Sequence, residues 1–349
     1  MKFFENKSAP SQYFQKNTTM EISIPLNGKI DVGYVVLDGD VTIADPALPA
    51  VPAAGTLKGL PGPAGLIKEV RVDANPAPGS RYPGGPVVKM SPIALLYQAI
   101  LQQTKFINDL FGQTFTPAAG AMGDPGVYAV HTEIPIFFTD FNKRRGMLTQ
   151  LNGDPRAYDY IALQIDTGDL STIMVGTNRS IDTTALKVSW RDERYNLPGD
   201  RIVLFQEDHR QLIAAAQTDL KAEGLRKEGA YLDWMLLTEV GASQILADTL
   251  LNKLTINSSA RDIVAKWEEI RAKMFRDGWY DASQDAVGQF FIDLCLGDPA
   301  LAVPATDIKA EIDTNMVSAA NVDALRFITK RILFPNGYDS AVMAEYKTK

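Results

Sequence analysis

The sequence predicts a mainly β protein made of two tandem eight-stranded jelly-roll barrels, with a helix inserted in each barrel. Three observations favour this fold class: many short strand-like runs, two clear helical stripes, and an internal repeat that gives both halves of the chain the same order of elements. A chain of 349 residues is too long for one ordinary core and long enough for two. We therefore expect two domains of one fold.

Short runs with the composition of β-strands occur throughout the chain. They are rich in Val, Ile, Phe and Tyr and are bounded by Gly, Pro, Asn and Asp. Several alternate apolar and polar residues, and Ile161, Leu163 and Ile165 share one face in this way. The runs are 20–26, 31–37, 65–72, 127–138, 160–167, 185–190, 201–206, 231–237, 249–256, 287–296, 308–314 and 324–332.

Two segments have the apolar periodicity of helices. The first is 91–111, where Ser91 can cap the helix and Pro92 suits its first position. The second is 259–275, with an apolar stripe that includes Trp267, which we interpret as a core residue. The segment 209–227 is also helix-prone, although its pattern is less regular.

The two halves of the chain repeat. Residues 161–168 (IALQIDTG) match 308–315 (IKAEIDTN), and 185–188 (ALKV) match 324–327 (ALRF). Each half has the same order: a strand, a helix, an aromatic strand, the strand that ends in Ile-Asp-Thr, and a final strand. Any two all-β domains would share part of this pattern, but the collinear order favours a duplication.

Proline usage marks a domain boundary. Of the 20 prolines, 17 lie at or before Pro198, which belongs to a turn-like Asn-Leu-Pro-Gly-Asp sequence. We predict an N-terminal arm over 1–18 that orders only against a partner, a first barrel over 19–197 and a second barrel over 198–349.

Composition and charge argue against several function classes. The net charge of −7 does not favour a coat for nucleic acid, so we expect no direct contact with a genome. The single cysteine, Cys295, cannot form a disulfide within the chain. The N-terminus lacks the apolar segment of a signal peptide, and no stretch is long and apolar enough for a transmembrane helix.

The search for catalytic or metal-binding residues yields no site, and we predict no catalytic, cofactor-binding or metal-binding residues. His131 lies in a strand-like run, and His209 follows two acidic residues without the spacing of a metal site. Asp166 and Asp313 invite comparison with paired catalytic carboxylates, but they occupy the same place in the two repeats. The basic cluster 143–145 favours a solvated loop, with a contact to a neighbouring subunit as the alternative.

Several segments together resemble the double jelly-roll major capsid proteins of tailless icosahedral bacteriophages with an internal membrane, the tectivirus and adenovirus hexon lineage. These segments are 62–72, the strand 127–141 with Pro135 inside it, 160–167 and 185–198. The second copy departs from the pattern because its aromatic strand, FFIDLCL, has no proline. The resemblance covers residues 20 to 335 by pattern and order.

The resemblance implies a non-enzymatic structural subunit of a virion, made in the host cytoplasm. It implies a homotrimer that forms a pseudo-hexagonal capsomer, contacts with neighbouring trimers and with penton and minor capsid proteins, and an N-terminal arm that faces an inner membrane. No cofactor is implied.

Two other functions compete with this one. A carbohydrate-binding or carbohydrate-active jelly-roll protein would use exposed aromatic residues such as Trp190, Trp234 or Trp279 as stacking platforms. A minor capsid or spike protein of the same kind of virus would differ in its copy number in the particle.

Overall fold

The structure is a computed structural model. It describes residues 5–46, 55–60, 62–102, 126–138, 151–194, 203–258, 262–278, 287–296, 301–315 and 322–333.

The chain divides into two compact units. The described residues of unit 1 lie within 5–138 and 151–194, and those of unit 2 lie within 203–333. The expected join at Pro198 falls outside the described residues, so the boundary between 197 and 198 stays a prediction.

The described residues of unit 1 form eight principal strands, five short strands and three short or medium helices. Its strands are β1 (Glu5–Ser8), β2 (Gln12–Tyr13), β3 (Thr19–Ile24), β4 (Lys29–Ala44), β5 (Thr56–Leu57), β6 (Ile67–Pro76), β7 (Gly85–Met90), β8 (Gly126–Phe137), β9 (Leu151–Asn152), β10 (Tyr158–Thr167), β11 (Met174–Val175), β12 (Ser180–Asp182) and β13 (Leu186–Arg194). Its helices are a 3-10 turn at Pro63–Leu66, α1 (Pro92–Gln102) and α2 (Leu170–Ile173).

The principal strands of unit 1 form two antiparallel sheets. Sheet 1a has the order β1-β13-β4-β8, and sheet 1b has the order β3-β10-β6-β7. Numbered along the chain, these orders are first-eighth-third-sixth and second-seventh-fourth-fifth. That interleaving of two four-stranded sheets is the strand order of a jelly roll.

Unit 2 is built in the same way. Its strands are β14 (Val203–Ile213), β15 (Gln217–Lys221), β16 (Ala230–Val240), β17 (Ile245–Leu246), β18 (Leu251–Asn257), β19 (Asp262–Lys266), β20 (Gln289–Asp293), β21 (Val303–Pro304), β22 (Lys309–Thr314) and β23 (Asp323–Leu333). Its helices are a 3-10 turn at Asp248–Leu250 and α3 (Trp267–Arg276).

The sheets of unit 2 repeat the order seen in unit 1. Sheet 2a is β14-β23-β16-β20, and sheet 2b is β15-β22-β18-β19. In each unit a helix, α1 or α3, lies between the fifth and the sixth principal strand. The predicted fold class, mainly β with a jelly-roll strand order and an inserted helix in each half, is confirmed, and so is the repeated order of elements.

Every one of the predicted strand runs overlaps a strand of the structure. The aromatic strand β8 tolerates a proline because it lies at an edge of its sheet. Pro135 lacks an N–H group, and β8 pairs with β4 alone among the described strands, so the missing donor breaks no ladder there. In unit 2 the shorter β20 takes the same position beside β16.

The helix predicted over 259–275 is wrong in its first half. Residues Asp262–Lys266 form β19, which pairs with β18, and the helix α3 begins only at Trp267. The β-branched Ile263 and Val264 suit a strand, and the jelly-roll order needs a fifth strand here. The helix start is capped by Glu269, whose Oε2 accepts a hydrogen bond from the Lys266 N–H at 2.9 Å.

Two further predictions need correction. The helix-prone segment 209–227 contains the last five residues of β14 and all of β15, because β14 pairs with β23 along its full length. The expected arm over 1–18 is not free of the fold: β1 pairs with Arg191–Arg194, and β2 pairs with Lys187 and Val188. The first helix is confirmed over Pro92–Gln102, with the Ser91 hydroxyl within 3.4 Å of the Ala94 N–H, and its predicted remainder lies outside the described residues.

The core of each unit contains a fully buried tryptophan. Trp190 in unit 1 lies 6.5 Å from the ring of Phe138. Trp234 in unit 2 packs edge-on against Tyr231 at 5.5 Å and Phe327 at 6.5 Å. Such tilted arrangements are the favoured geometry for aromatic pairs.

Candidate functional site

The aspartates that resemble catalytic carboxylates are strand residues in equivalent positions. Asp166 lies in β10 opposite Thr19, whose hydroxyl donates to its Oδ1, and Asp313 lies in β22 opposite Lys253. Each immediately precedes a buried threonine at the end of its strand. Their similarity therefore reflects the repeat, as the sequence analysis predicts.

The threonine of the repeated Ile-Asp-Thr sequence makes a similar hydrogen bond in both units, which gives a physical reason for the repeat. The Thr167 hydroxyl lies 2.8 Å from the Thr18 carbonyl and 2.5 Å from the Gln15 carbonyl, and it accepts from the Thr18 N–H at 3.0 Å. Thr314 accepts in the same way from the Gln217 N–H at 3.3 Å. In both units this hydroxyl binds the chain where the second principal strand begins, at Thr18 before β3 and at Gln217 in β15.

Replacing Thr167 by Val keeps the shape of the side chain and removes these hydrogen bonds. We expect the free energy of unfolding to fall by about 1 kcal/mol, the net contribution of a typical hydrogen bond. Thr167→Ser retains the hydroxyl and is the matched control. Urea-induced unfolding measures both variants, and equal stability of the Val and Ser variants would contradict the assignment.

The two histidines lie on strands in different units. His131 is on β8, where its Nδ1 lies 3.0 Å from Asp38 Oδ1 on the neighbouring strand β4, and both side chains are exposed. His209 is on β14, and its ring lies so close to Gly224 that a Cβ there would be 2.7 Å from the imidazole. Within the described part of the chain no group of three or more His, Cys, Asp or Glu side chains is arranged to hold a metal ion.

The acidic residues before His209 bind arginines. Glu207 Oε2 accepts from Arg331 at 3.1 Å, and Glu207 Oε1 lies 3.2 Å from Arg226. Asp208 accepts from Arg326 at 2.6 Å. The Glu-Asp-His sequence is therefore part of an ion-pair network, in which these carboxylates already have cationic partners.

Arg326 is the centre of that network. It lies between Asp208 and Glu239, at 2.6 Å from each, and Glu239 also accepts from Arg210 at 2.6 Å. Burial lowers the pKa of Arg326, but the two carboxylates outweigh this effect and hold it above the ordinary guanidinium value. The arrangement fixes strands β14, β23 and β16 to one another.

A second buried ion pair, which the sequence pattern does not predict, lies in unit 1. Arg194 donates to both carboxylate oxygens of Asp192 at 2.7 Å, and the indole N–H of Trp190 donates to Asp192 Oδ2 at 2.8 Å. All three side chains point to the same face of β13. Their spacing of two residues was visible in the sequence, but nothing in it says which face of the strand is buried.

Trp190 and Trp234 do not form an exposed stacking platform. Trp190 and Trp234 are 0% exposed, and Trp279 lies outside the described residues. Trp267, expected in the core, is half-buried at the start of α3, with the guanidinium of Arg271 5.2 Å from its ring centre. The two described tryptophans proposed for sugar binding are therefore core residues.

A cleft of about 400 Å³ lies in unit 1. Its charged side chains have structural partners: Lys16 Nζ donates to a backbone carbonyl of β12 at 2.6 Å, and Arg179 pairs with Asp45 at 2.9 Å. Asp169 accepts from Asn17 at 2.9 Å, and this hydrogen bond is the main cause of its lowered pKa. The cleft therefore shows no set of side chains directed at a ligand.

Cys295 is buried. The basic cluster 143–145 lies outside the described residues. Among the helices that the structure describes, none is both long and apolar enough to cross a membrane.

Comparison with solved structures places this strand order in a known fold. The chain superposes on a structure from Sulfolobus turreted icosahedral virus with a TM-score of 0.62 and 15% identity, over 99% of this chain and 97% of that one. The present chain therefore has the double jelly-roll fold.

Two further structures share this fold. The faustovirus major capsid protein gives a TM-score of 0.61 at 11% identity, over 96% of this chain and 90% of that one. The major capsid protein of bacteriophage PM2 gives 0.55 at 11% identity, over 97% of this chain and 100% of that one. No family model and no curated protein matches the sequence.

Proposed function

We propose that this protein is the major capsid protein of an icosahedral virus and has a structural, non-enzymatic role. The observation that carries the proposal is the duplicated jelly-roll topology, which superposes nearly end to end on capsid proteins from viruses of different kinds. The described residues add no catalytic constellation that would favour an enzyme. The buried state of Trp190 and Trp234 weighs against the sugar-binding alternative.

Two jelly rolls in one chain provide a physical reason for a capsid role. Three copies of such a chain supply six similar units, so threefold symmetry yields a tile that is nearly hexagonal. The subunit would then trimerise, contact neighbouring trimers, and lie next to penton and minor capsid proteins and an inner membrane. Its net charge of −7 favours protein partners over direct contact with nucleic acid. In this proposal it is made in the host cytoplasm and resides in the virion.

The test is the assembly state of the purified full-length chain. We expect light scattering to give three times the chain mass of 38.2 kDa, and electron microscopy to show particles of hexagonal outline that form arrays or shells. A monomer at micromolar concentration that forms no arrays would contradict the proposal. Low copy number in purified particles would favour a minor capsid or spike protein.

A further inference from the structure

The outward face of one sheet differs in exposure between the two units. In sheet 2a every residue of β23 except Leu333, and every residue of β16 except Val240, is buried. Both faces of these central strands are therefore covered within the chain. The corresponding strands of sheet 1a, β13 and β4, have one well-buried face and one that is partly or fully open.

The difference in exposure is seen at equivalent positions of β13 and β23. The shared topology and the match of 185–188 to 324–327 place Lys187 where Arg326 lies in unit 2, and Arg191 where Lys330 lies. Arg326 is 8% exposed and Lys330 is 4% exposed. Lys187 is exposed and Arg191 is half-buried.

We call the exposed surface of sheet 1a the open face. It includes Tyr13, Asp38, Val127, His131, Lys187 and Arg191. The ammonium of Lys187 lies 5.4 Å from the ring centre of Tyr13, which is 62% exposed, and Val127 is 69% exposed. Aromatic residues and arginine are enriched in protein–protein contacts, and polar or charged groups are typical of their rims.

Arg191 shows that the open face is ordered without a partner. Its guanidinium lies 4.4 Å from the ring centre of Tyr34, and it donates to Glu133 at 2.7 Å. Tyr34 in turn donates to Glu193 at 3.1 Å. Groups held in this way lose little side-chain entropy when another surface covers them.

We propose that the open face is the surface on which a second copy of this chain binds. The inference rests on the proposed capsid function and names the contact that assembly would use. The two units share one topology, and a sheet face that is covered in one unit and open in the other is what an isolated copy of a repeating assembly presents. Closed rotational symmetry then allows each copy to offer its open face to the next.

Charge and shape changes on the open face test the proposal. We expect Lys187→Glu and Val127→Asp to raise the concentration needed for half-assembly of the trimer at least tenfold. Lys68→Glu, an exposed lysine on sheet 1b, is the control for the first variant. Val264→Asp is the control for the second, since Val264 is 56% exposed on β19. Analytical ultracentrifugation measures assembly, and circular dichroism verifies that each variant is folded.

A second measurement uses the unmodified chain. Tyr13 is 62% exposed and Tyr160, on sheet 1b, is 47% exposed, so a free chain should react with hydroxyl radicals more at Tyr13. In the assembled trimer we expect the order to reverse, because Tyr13 becomes covered. This result does not depend on how any variant folds.

The outcomes separate the two proposals. A wild-type chain that never assembles overturns the capsid function and the open-face contact together. A trimer that forms equally well in Lys187→Glu and Val127→Asp, or that leaves Tyr13 the more reactive tyrosine, overturns the open-face contact alone. Equal loss of assembly in the variants and their controls also overturns it, because the effect is then not specific to this face.

Discussion

Asp192→Ala is expected to lower the free energy of unfolding by about 3–5 kcal/mol, the cost of removing one partner from a buried ion pair. Asp192 is 0% exposed and accepts from Arg194 and from the indole N–H of Trp190. Without its carboxylate, Arg194 is left buried with its charge uncompensated. Trp190 at the same time loses the acceptor of its only ring donor.

The loss should extend beyond β13, because Arg194 also binds the turn between β3 and β4. Its guanidinium donates to the Pro25 carbonyl at 2.9 Å and to the Asn27 carbonyl. That turn joins sheet 1b to sheet 1a. We therefore expect the variant to loosen the connection between the two sheets of unit 1 rather than one strand.

An exposed pair with the same spacing provides the control. Arg71 and Asp73 are also two residues apart on one strand, with Nε and Oδ1 at 2.9 Å, but the arginine side chain is 41% exposed. We expect Asp73→Ala to cost less than about 1 kcal/mol, as is usual for surface pairs. Urea-induced unfolding followed by tryptophan fluorescence measures both variants. Equal losses in the two variants would show that burial of the Asp192 pair adds nothing.

The sequence predicts the strands well where side chains alternate, because the alternation itself reflects one buried and one open face. The run around Ile161, Leu163 and Ile165 is an example, since those three residues are buried in β10. The repeat was likewise visible, because the same strands end in the same buried threonine. The order of the elements can therefore be predicted from local sequence patterns.

The missed elements depend on their pairing partners in the sheets. Residues 209–213 have helical propensity, but all of them pair with β23 more than a hundred residues away. The strand Asp262–Lys266 is fixed by a hairpin with β18, the strand just before it, and β1 is fixed by the distant strand β13. Tertiary pairing outweighs local propensity in these short segments.

The buried polar groups could not be assigned from sequence for a related reason. The run Trp-Arg-Asp-Glu-Arg from 190 to 194 reads as mostly solvated charge. In the strand, Asp192 and Arg194 point into the core while Arg191 and Glu193 point outward. A shift of the register by one residue would exchange the two sets, and only the pairing with β4 decides between them.

Gly33→Ala is expected to destabilise unit 1 by about 3 kcal/mol, at the upper end of the cost of overpacking a core. Gly33 lies in β4 under the indole of Trp190, and a Cβ at this position would lie 1.9 Å from Trp190 Cη2. The ring cannot move aside freely, because its N–H is held by Asp192 at 2.8 Å. A close approach of this kind requires the absence of a side chain on β4.

A double-mutant cycle with Trp190→Phe distinguishes this contact from a general effect on the strand. The smaller ring removes the atoms nearest to Gly33, so Gly33→Ala should cost at least 1 kcal/mol less in that background than in the wild type. Gly126→Ala, at the start of β8, is the control, because the nearest atom to its Cβ is 3.8 Å away. We expect that change to stay within about 0.5 kcal/mol. Additive losses from Gly33→Ala and Trp190→Phe would mean that the indole does not explain the glycine.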